Sequence, residues 1–268
     1  MSNKLAVLLP YHNNLSGLTL TLESLLQESE IFTLFIFDDG SDDNDKVKEI
    51  IEKFSKKIEI IYNRSEQNLG ITKTLNNALN QIKSLKEYYL IAKLHAGDLC
   101  LDNRLKTQKQ FLDQERDVYL VGSWVRFVNM QRKILFIFKP PSNNKSIKKA
   151  MHLYNPFIHP SVMFRIEVVN QIGYYPENYP ALEDHAYFFK IIKKFKVHII
   201  SKILLEYEIN PQSISLSQRR TQTLSRIKLL LHEYSFGVNQ SLGLIRAIIT
   251  SLIPIKILTW FKSNLFYN

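Results

Sequence analysis

The chain has 268 residues and a mass of 31.4 kDa, enough to bury the core of one large domain with or without an extension. Hydrophobic residues make up 45% of the sequence, which excludes a disordered protein, and the single cysteine, Cys100, excludes an internal disulfide framework and is typical of a reducing compartment. The net charge of +10 raises the question of an anionic partner, so the distribution of the basic residues along the chain matters.

The N-terminal segment lacks a signal-peptide pattern. Its apolar run, residues 5–10, is short, and the polar residues His12, Asn13 and Asn14 follow where a cleavage site would need small ones. We therefore expect a cytoplasmic protein.

Strands and helices alternate through the first half of the chain. Apolar runs predict strands at KLAVLLPYH, IFTLFIF, KIEIIYN and YYLIAKL, and helical spacing predicts helices at LTLTLESLLQES, NDKVKEIIEKF, ITKTLNNALNQIKSL and DNRLKTQKQFLDQE. Ser41, Asp42 and Asp43 are typical cap residues for the second helix, and Asp102 for the fourth. Repeated units with near-continuous apolar strands predict an α/β fold whose mainly parallel sheet has helices on both faces.

The pattern becomes less regular after Asp117. VYLVGSWVRFV and KILFIF predict two more strands, and PPSNN predicts a loop. The organisation indicates one α/β domain over residues 1–215, followed by a C-terminal helical extension over residues 216–268.

This extension is both basic and apolar. It contains seven basic residues and one acid, and so holds +6 of the +10 net charge. The stretch LGLIRAIITSLIPIKILTWF, residues 242–261, could nearly span a bilayer, but Arg246, Pro254 and Lys256 interrupt it. Apolar and basic residues together with Trp260 and Phe261 favour a segment lying in a membrane interface. A helical pair packed on the main domain, or a homodimer contact, is the alternative.

Polar clusters follow three of the predicted strands. They are Pro10-Tyr11-His12-Asn13, Asp38-Asp39-Gly40-Ser41 and His95-Ala96-Gly97-Asp98. Ligands of open α/β sheets bind outside the carboxyl ends of the strands, so the clusters are expected to converge. A carboxylate that accepts the uracil N3–H, a stacking ring and a carboxylate for a diphosphate-bound metal fit a nucleotide. The chain has no G-x-G-x-x-G or G-x-x-x-x-G-K-[ST] stretch, so dinucleotide and P-loop sites lose their main support.

The ordered motifs resemble those of the family 2 glycosyltransferases, which have the GT-A fold. Pro-x-Tyr-Asn, Asp-Asp-Gly-Ser and Asn-x-Gly of that family correspond to residues 10–13, 38–41 and 68–70, and Asp-Ala-Asp-Asp with Pro-Asp-Arg-Leu corresponds to residues 95–98 and 102–105. NPFIHPSVMFR and ALEDHAYFFKI resemble the acceptor-side segments of the family. The resemblance covers roughly residues 4–215 and is specific for the family, but not for the sugar.

The resemblance implies a uridine site at the first two clusters. Asp39 would contact the uracil and Asp38 would shape or bind the uridine site, although a capped turn would also explain these acids. His12, with Tyr11 beside it and Pro10 before them, takes the place of the family's stacking tyrosine. Its ring can still stack on the base; an ordinary role at the edge of the core is the alternative. Lys73 is a candidate donor contact, although a lone lysine on a helix is usually exposed.

The metal motif departs from the family pattern. His95 and Gly97 replace two aspartates, and Asp98 is the remaining carboxylate. The resemblance implies Mn²⁺ or Mg²⁺ at Asp98, with most ligands coming from the diphosphate and water. His95 favours manganese if it is a ligand; alternatively it packs near the ribose.

The resemblance implies inverting transfer with Asp184 as the general base and Glu183 in a supporting role. Both acids could instead be helix caps. His159 is a candidate for the acceptor or diphosphate side, or a buried structural histidine. Trp124 is a candidate for stacking on a sugar, or a core aromatic.

These observations together predict a transferase that moves a hexose or N-acetylhexosamine from a UDP-sugar to a saccharide acceptor. The basic, apolar extension suggests a peripheral enzyme at the inner face of the plasma membrane, acting on an acceptor carried by a polyprenyl diphosphate lipid in O-antigen, capsule or similar surface polysaccharide synthesis. A nucleotide-sugar binding module without transferase activity is the alternative. No nucleic-acid partner is expected, because the basic excess lies in a segment rich in Leu and Ile.

Overall fold

One mixed sheet of nine strands positions the rest of the fold. The structure, a computed structural model, describes residues 4–209 and 218–252. Within those residues the strands are β1 (Lys4–Tyr11), β2 (Thr33–Asp38), β3 (Glu59–Arg64), β4 (Tyr88–Lys93), β5 (Leu99–Cys100), β6 (Val118–Val128), β7 (Ile134–Phe138), β8 (Met163–Arg165) and β9 (Lys196–Glu208). Their order is β3-β2-β1-β4-β8-β6-β9-β5, with β7 paired to β6.

Helices cover both faces of this sheet. They are α1 (Leu15–Leu25), α2 (Asn44–Ser55), α3 (Ile71–Leu85), α4 (Arg104–Gln114), α5 (Asn144–Leu153), α6 (Ile166–Ile172), α7 (Glu183–Lys194), α8 (Arg219–His232) and α9 (Val238–Leu252), with a 3₁₀ turn at His159–Ser161.

The N-terminal half of the sheet is parallel. β1 pairs with β2 and β4, and β2 pairs with β3, all in parallel. Tyr11 lies opposite Asp38, so β1 and β2 end at the same level. Every residue of β2 is buried, as expected for a strand that is covered on both faces. The predicted α/β fold is confirmed, as a mixed sheet whose longest pairings are parallel.

The predicted cap of α4 is wrong by one residue. Asn103, rather than Asp102, precedes the helix, which begins at Arg104. Asn103 has a left-handed backbone with φ of 51°, and its side-chain oxygen accepts a hydrogen bond from the Ser29 amide at 2.9 Å. The turn before α4 is therefore held by a contact with the loop after α1 and not by a helix cap.

The predicted caps of α2 are correct in position for Asp43 but not for Ser41 and Asp42. Asp43 occupies the N-cap position, and its carboxylate accepts the Tyr11 hydroxyl at 2.9 Å. Ser41 Oγ accepts the Asn13 backbone amide at 3.0 Å, and the Asp42 carboxylate accepts the Asn13 side chain at 3.1 Å. These polar side chains therefore join the segments that follow β1 and β2, and the Asp43 side chain makes no cap hydrogen bond to α2.

The C-terminal half depends on β9, which the sequence pattern did not reveal. β9 pairs in parallel with β6 from Val118–Lys196 to Val128–Glu208, and in antiparallel fashion with β5. The short β8 joins the two halves by pairing with β4 and β6. The end of β9 is thereby brought beside the turn that precedes β5.

Two hydrophobic clusters lie on the two faces of the sheet. Ala6 and Leu8 of β1 belong to the first cluster, whereas Leu5, Val7 and Leu9 belong to the second. This alternation follows from the two-residue period of strand side chains.

Helices α8 and α9 pack on the main domain. Leu229, Leu230 and Ala247 are buried in the first cluster. At Gly243 a β-carbon would collide with the His152 carbonyl of α5, so glycine permits the close approach of α9.

The remainder of the predicted interfacial segment, with Pro254, Lys256, Trp260 and Phe261, lies outside the described residues. Among the helices of the described ranges, none has the length and apolar character needed to cross a bilayer.

A buried arginine fixes the junction between β4 and β8. Arg104 has no exposed surface, and its Nη2 donates to the Lys93 and Val162 carbonyls at 2.8 and 3.3 Å. Its Nε donates to Gln108 Oε1 at 3.0 Å, and Gln108 in turn donates to the Ser161 carbonyl at 2.7 Å. Buried charge is costly without such partners, so this arrangement strongly favours one geometry at the end of β4.

Replacing Arg104 by methionine is expected to lower the free energy of unfolding by about 3 kcal/mol, because buried carbonyls lose their donors. Urea denaturation followed by circular dichroism measures the change. Lys106→Met, an exposed substitution on the same helix, is the control and should change stability by less than about 0.5 kcal/mol. Equal losses in the two variants would contradict the role given to Arg104.

Candidate active site

Asp39 lies after β2, and its carboxylate orders the loop before α3. Its two oxygens accept hydrogen bonds from the Leu69 and Gly70 amides at 2.7 and 3.0 Å. Gly70 has a φ of 83°, a conformation that favours glycine. A carboxylate oxygen has more than one lone pair. Asp39 can therefore hold this loop and still accept a hydrogen bond from a ligand.

Asp38 is occupied within the protein. Only 1% of the residue is exposed, and its oxygens accept hydrogen bonds from the Ser41 amide at 2.8 Å and the Tyr62 hydroxyl at 2.7 Å. Arg64 Nε lies 3.6 Å from the same carboxylate. These contacts favour the shaping role for Asp38 over direct ligand binding.

His12, Pro10 and Lys73 lie at the same edge of the sheet in different environments. The exposed His12 ring places Nε2 3.2 Å from the side-chain nitrogen of Asn68. Pro10 is buried in β1, and Lys73 is exposed in the first turn of α3. The structure thus brings His12 next to the loop that Asp39 holds, where its ring is accessible.

Asp98 follows β4 in a buried turn. Its Oδ1 accepts the Glu208 amide at 3.2 Å, and its Oδ2 is buried without a hydrogen-bond partner among the described residues. Burial raises the pKa of this carboxyl to about 8. His95 Nδ1 lies 3.8 Å from Oδ2, and burial holds the pKa of His95 well below its ordinary value.

These groups fit a divalent cation that takes most of its ligands from molecules other than the protein. An unpaired carboxylate oxygen is a suitable ligand for Mg²⁺ or Mn²⁺. Within residues 4–209 and 218–252, no group of three or more His, Cys, Asp or Glu side chains forms a complete metal site. Diphosphate and water would have to complete the coordination.

A row of rings connects Asp98 to the acidic start of α7. The His95 and His159 rings meet edge to face with centroids 5.3 Å apart, and His159 Nε2 lies 2.9 Å from the Tyr175 hydroxyl. Tyr175 is close enough to Asp184 and Glu183 for their charges to raise its pKa, after the larger effect of burial. The structure therefore brings the predicted His159 into the site.

Asp184 and Glu183 begin α7. Asp184 Oδ1 accepts the His185 amide at 2.7 Å, and Oδ2 accepts the Asn155 side chain at 3.1 Å. Glu183 Oε2 is buried and has no hydrogen-bond partner among the described residues. Burial raises the pKa of both carboxyls, and the hydrogen bonds to Asp184 oppose the shift. Raised carboxyl pKa values suit proton transfer near neutral pH.

Trp124 lies on β6 and packs partly against the first hydrophobic cluster. Its indole N–H donates to the Pro140 carbonyl at 3.3 Å, and the Lys139 ammonium lies 5.2 Å from the ring centroid. These contacts favour the core alternative, and none of them joins Trp124 to the residues above.

Several residues of the site were not predicted from the sequence. Lys93 has no exposed surface and donates to the Leu94 carbonyl at 2.9 Å. Burial lowers its pKa well below the ordinary value, while the charges of Asp98 and Glu183 act in the opposite direction. The pKa of Tyr207 is raised by burial and then by the charges of Asp98 and Asp184. Lys93 and Tyr207 are therefore close enough to both Asp98 and the acidic start of α7 to be influenced by their charges. In the sequence, a lysine inside an apolar strand was the one visible signal.

Comparison with solved structures identifies the class of fold. S. aureus TarS 1–349 in complex with UDP-GlcNAc matches with a TM-score of 0.68 and 19% identity, over 90% of this chain and 69% of TarS 1–349. The mannosyltransferase PcManGT from Pyrobaculum calidifontis, in complex with GDP-Man and Mn²⁺, matches with a TM-score of 0.65 and 11% identity, over 92% of this chain and 69% of that one. The fold is that of the GT-A glycosyltransferases.

Sequence comparison then gives the family. The profile of Glycosyl transferase family 2 matches residues 6–173. An uncharacterized glycosyltransferase of Methanocaldococcus jannaschii is 31% identical over 207 residues, 76% of this chain and 70% of the relative. The Escherichia coli UDP-Gal:alpha-D-GlcNAc-diphosphoundecaprenol beta-1,3-galactosyltransferase is 23% identical over 222 residues, 82% of this chain and 79% of the relative. The protein belongs to glycosyl transferase family 2, as its motifs predicted, and is a glycosyltransferase.

The raised pKa of Asp98 predicts a pH dependence of stability in the presence of a chelator. The native state keeps a proton on Asp98 that the unfolded chain loses above about pH 4. The free energy of unfolding should therefore fall as the pH rises from about 5 to 8, by roughly 3 kcal/mol more in the wild type than in Asp98→Asn.

Urea denaturation at several pH values measures this difference. Asp102→Asn, on an exposed side chain of the neighbouring turn, should keep the wild-type dependence. Parallel curves for the wild type and Asp98→Asn would show that Asp98 is ionised throughout this range.

Proposed function

We propose that the protein transfers a hexose or N-acetylhexosamine from a UDP-sugar to a hydroxyl of a saccharide acceptor, with inversion at the anomeric carbon. The observation that carries this proposal is the row of rings joining the Asp98 turn to the buried Asp184 carboxylate. This row supports a candidate leaving-group site at Asp98 and a candidate base at Asp184 that lie close to one another.

The donor proposal rests on Asp39 and His12. A uracil ring presents an N3–H donor and an aromatic face, which suit the Asp39 carboxylate and the accessible His12 ring. Lys73 lies exposed at the start of α3, where its ammonium can approach an anionic donor. The UDP-Gal in the name of the E. coli relative and the UDP-GlcNAc bound to TarS agree with a uridine nucleotide.

A divalent cation, Mn²⁺ or Mg²⁺, is proposed at Asp98. Such a cation would neutralise charge that develops on the departing diphosphate. The Mn²⁺ bound to PcManGT agrees with this use of a metal. Asp98 Oδ2 would hold the cation, and the neighbouring His95 remains a candidate ligand.

Asp184 is proposed as the general base. Its carboxylate would take the proton of the acceptor hydroxyl while that oxygen attacks the anomeric carbon. The Asn155 and His185 donors favour the ionised carboxylate and fix its orientation. Attack opposite to the departing UDP converts an α-linked donor into a β-linked product. Glu183 supports the base through its charge beside Asp184.

We further propose that the acceptor is carried by a polyprenyl diphosphate lipid at the inner face of the plasma membrane, during surface polysaccharide synthesis. The diphosphoundecaprenol in the name of the E. coli relative supports this class of acceptor. Helix α9 exposes an apolar stripe in which residues recur every three or four positions: Val238, Leu242, Ile245, Ile249 and Leu252. With the basic excess of the extension, this stripe suits a peripheral contact with anionic lipid.

Asp184→Asn should reduce turnover by at least about a hundredfold, because an amide cannot take the acceptor proton. The assay is UDP release from a panel of UDP-sugars with Mn²⁺ and a lipid-diphosphate-sugar acceptor. UDP affinity, measured by calorimetry, should be unchanged.

Glu177→Gln removes an exposed carboxylate from the loop before α7 and is the matched control, with near wild-type turnover expected. Full turnover in Asp184→Asn would remove Asp184 as the base. UDP-sugar binding without turnover on any acceptor would favour the binding-module alternative.

Ile245→Asp should weaken binding to vesicles that contain anionic lipid by at least about fivefold, because it places a charge in the apolar stripe. Sedimentation with vesicles measures the bound fraction. Ser251→Asp adds the same charge to an exposed position on the opposite side of α9 and should have little effect. Equal vesicle binding by the wild type and Ile245→Asp, with loss of a dimer in ultracentrifugation, would assign the stripe to a homodimer.

A further inference from the structure

We propose that Glu208 supplies a second carboxylate to the cation site of Asp98. This inference deepens the proposed function, because it concerns the metal-binding half of the same site. It assigns a ligand from the end of β9, more than a hundred residues away in the sequence from the turn after β4.

The end of β9 lies directly against the Gly97-Asp98 turn. The Glu208 amide donates to Asp98 Oδ1 at 3.2 Å. A β-carbon at Gly97 would lie 3.6 Å from Glu208 Oε1. Gly97 has a φ of 107°, at which other residues are strained. The turn thus carries no side chain at this point, and the Glu208 carboxylate lies beside the open position.

The unpaired oxygen of Asp98 points independently to a cation. The Asp98 side chain is only 5% exposed, and its Oδ2 has no hydrogen-bond partner among the described residues. Two adjacent carboxylates, one of them with a buried and unpaired oxygen, repel each other when no cation is bound. A cation that prefers oxygen ligands makes the same arrangement favourable.

The nearby arginine orients Glu208 without using both of its oxygens. Arg132 Nη1 lies 3.4 Å from Glu208 Oε2 and donates to the Gly97 carbonyl at 3.1 Å. Oε1, the Glu208 oxygen nearest to Gly97, is not the oxygen that faces Arg132, and it is the proposed ligand atom. Arg132 Nε and Arg126 Nη1 also face Glu206, at 3.6 and 3.2 Å. Glu206 faces both arginines, whereas Glu208 faces Arg132 alone of the two, so Glu206 provides a matched control for Glu208.

The test is Mn²⁺ binding by the full chain in the presence of UDP, followed by electron paramagnetic resonance of free Mn²⁺. Glu208→Gln should raise the dissociation constant for Mn²⁺ at least tenfold, because an amide oxygen is a weaker ligand than a carboxylate. Glu208→Asp, which keeps the charge on a shorter side chain, should lie between Glu208→Gln and the wild type. Glu206→Gln should remain within twofold of the wild type.

Wild-type affinity in Glu208→Gln would overturn the inference, and so would an equal loss in Glu206→Gln, which would show an unspecific effect of charge. Thermal unfolding without Mn²⁺ confirms that the variants are folded. UDP release by the wild type tests the proposed function separately. Turnover by a wild type that binds no Mn²⁺ would overturn this inference and leave the transferase proposal in place.

Discussion

The site depends on buried carboxylates whose oxygens are held by backbone amides. Asp39 accepts the Leu69 and Gly70 amides, Asp98 accepts the Glu208 amide, and Asp184 accepts the His185 amide. An amide stabilises a carboxylate without neutralising its charge, so these groups remain able to attract a cation or a proton. For Asp39 and Asp98 the parallel strands make this possible, because β2 and β4 end at one edge of the sheet where the chain turns.

The same arrangement explains how distant parts of the chain act together. Lys93 at the end of β4 is influenced by the charges of both Asp98 and Glu183, and Tyr207 at the end of β9 by those of Asp98 and Asp184. The Asp98 turn and the acidic start of α7 therefore share one electrostatic environment. Arg104 fixes the backbone at the centre of that environment by binding the Lys93 carbonyl.

Much of the fold was predictable because the first half repeats strand and helix with clear apolar periodicity. The motifs after β1, β2 and β4 were predictable for the same reason, since each follows a strand. The cap of α4 was not, because Asn103 makes a tertiary contact with Ser29 that no local pattern encodes. The approach of Glu208 to Gly97 also could not be inferred, because it arises from the pairing of β9 with β5 and β6.

We propose that the carboxyl edge of the sheet binds a uridine diphosphate group between Asp39 and Asp98. A crystal structure of the full chain with UDP and Mn²⁺ tests this binding mode most directly. We expect the uracil N3–H within hydrogen-bond distance of the Asp39 carboxylate, and the diphosphate and Mn²⁺ at Asp98. A nucleotide bound elsewhere, or with its diphosphate remote from Asp98, would contradict it.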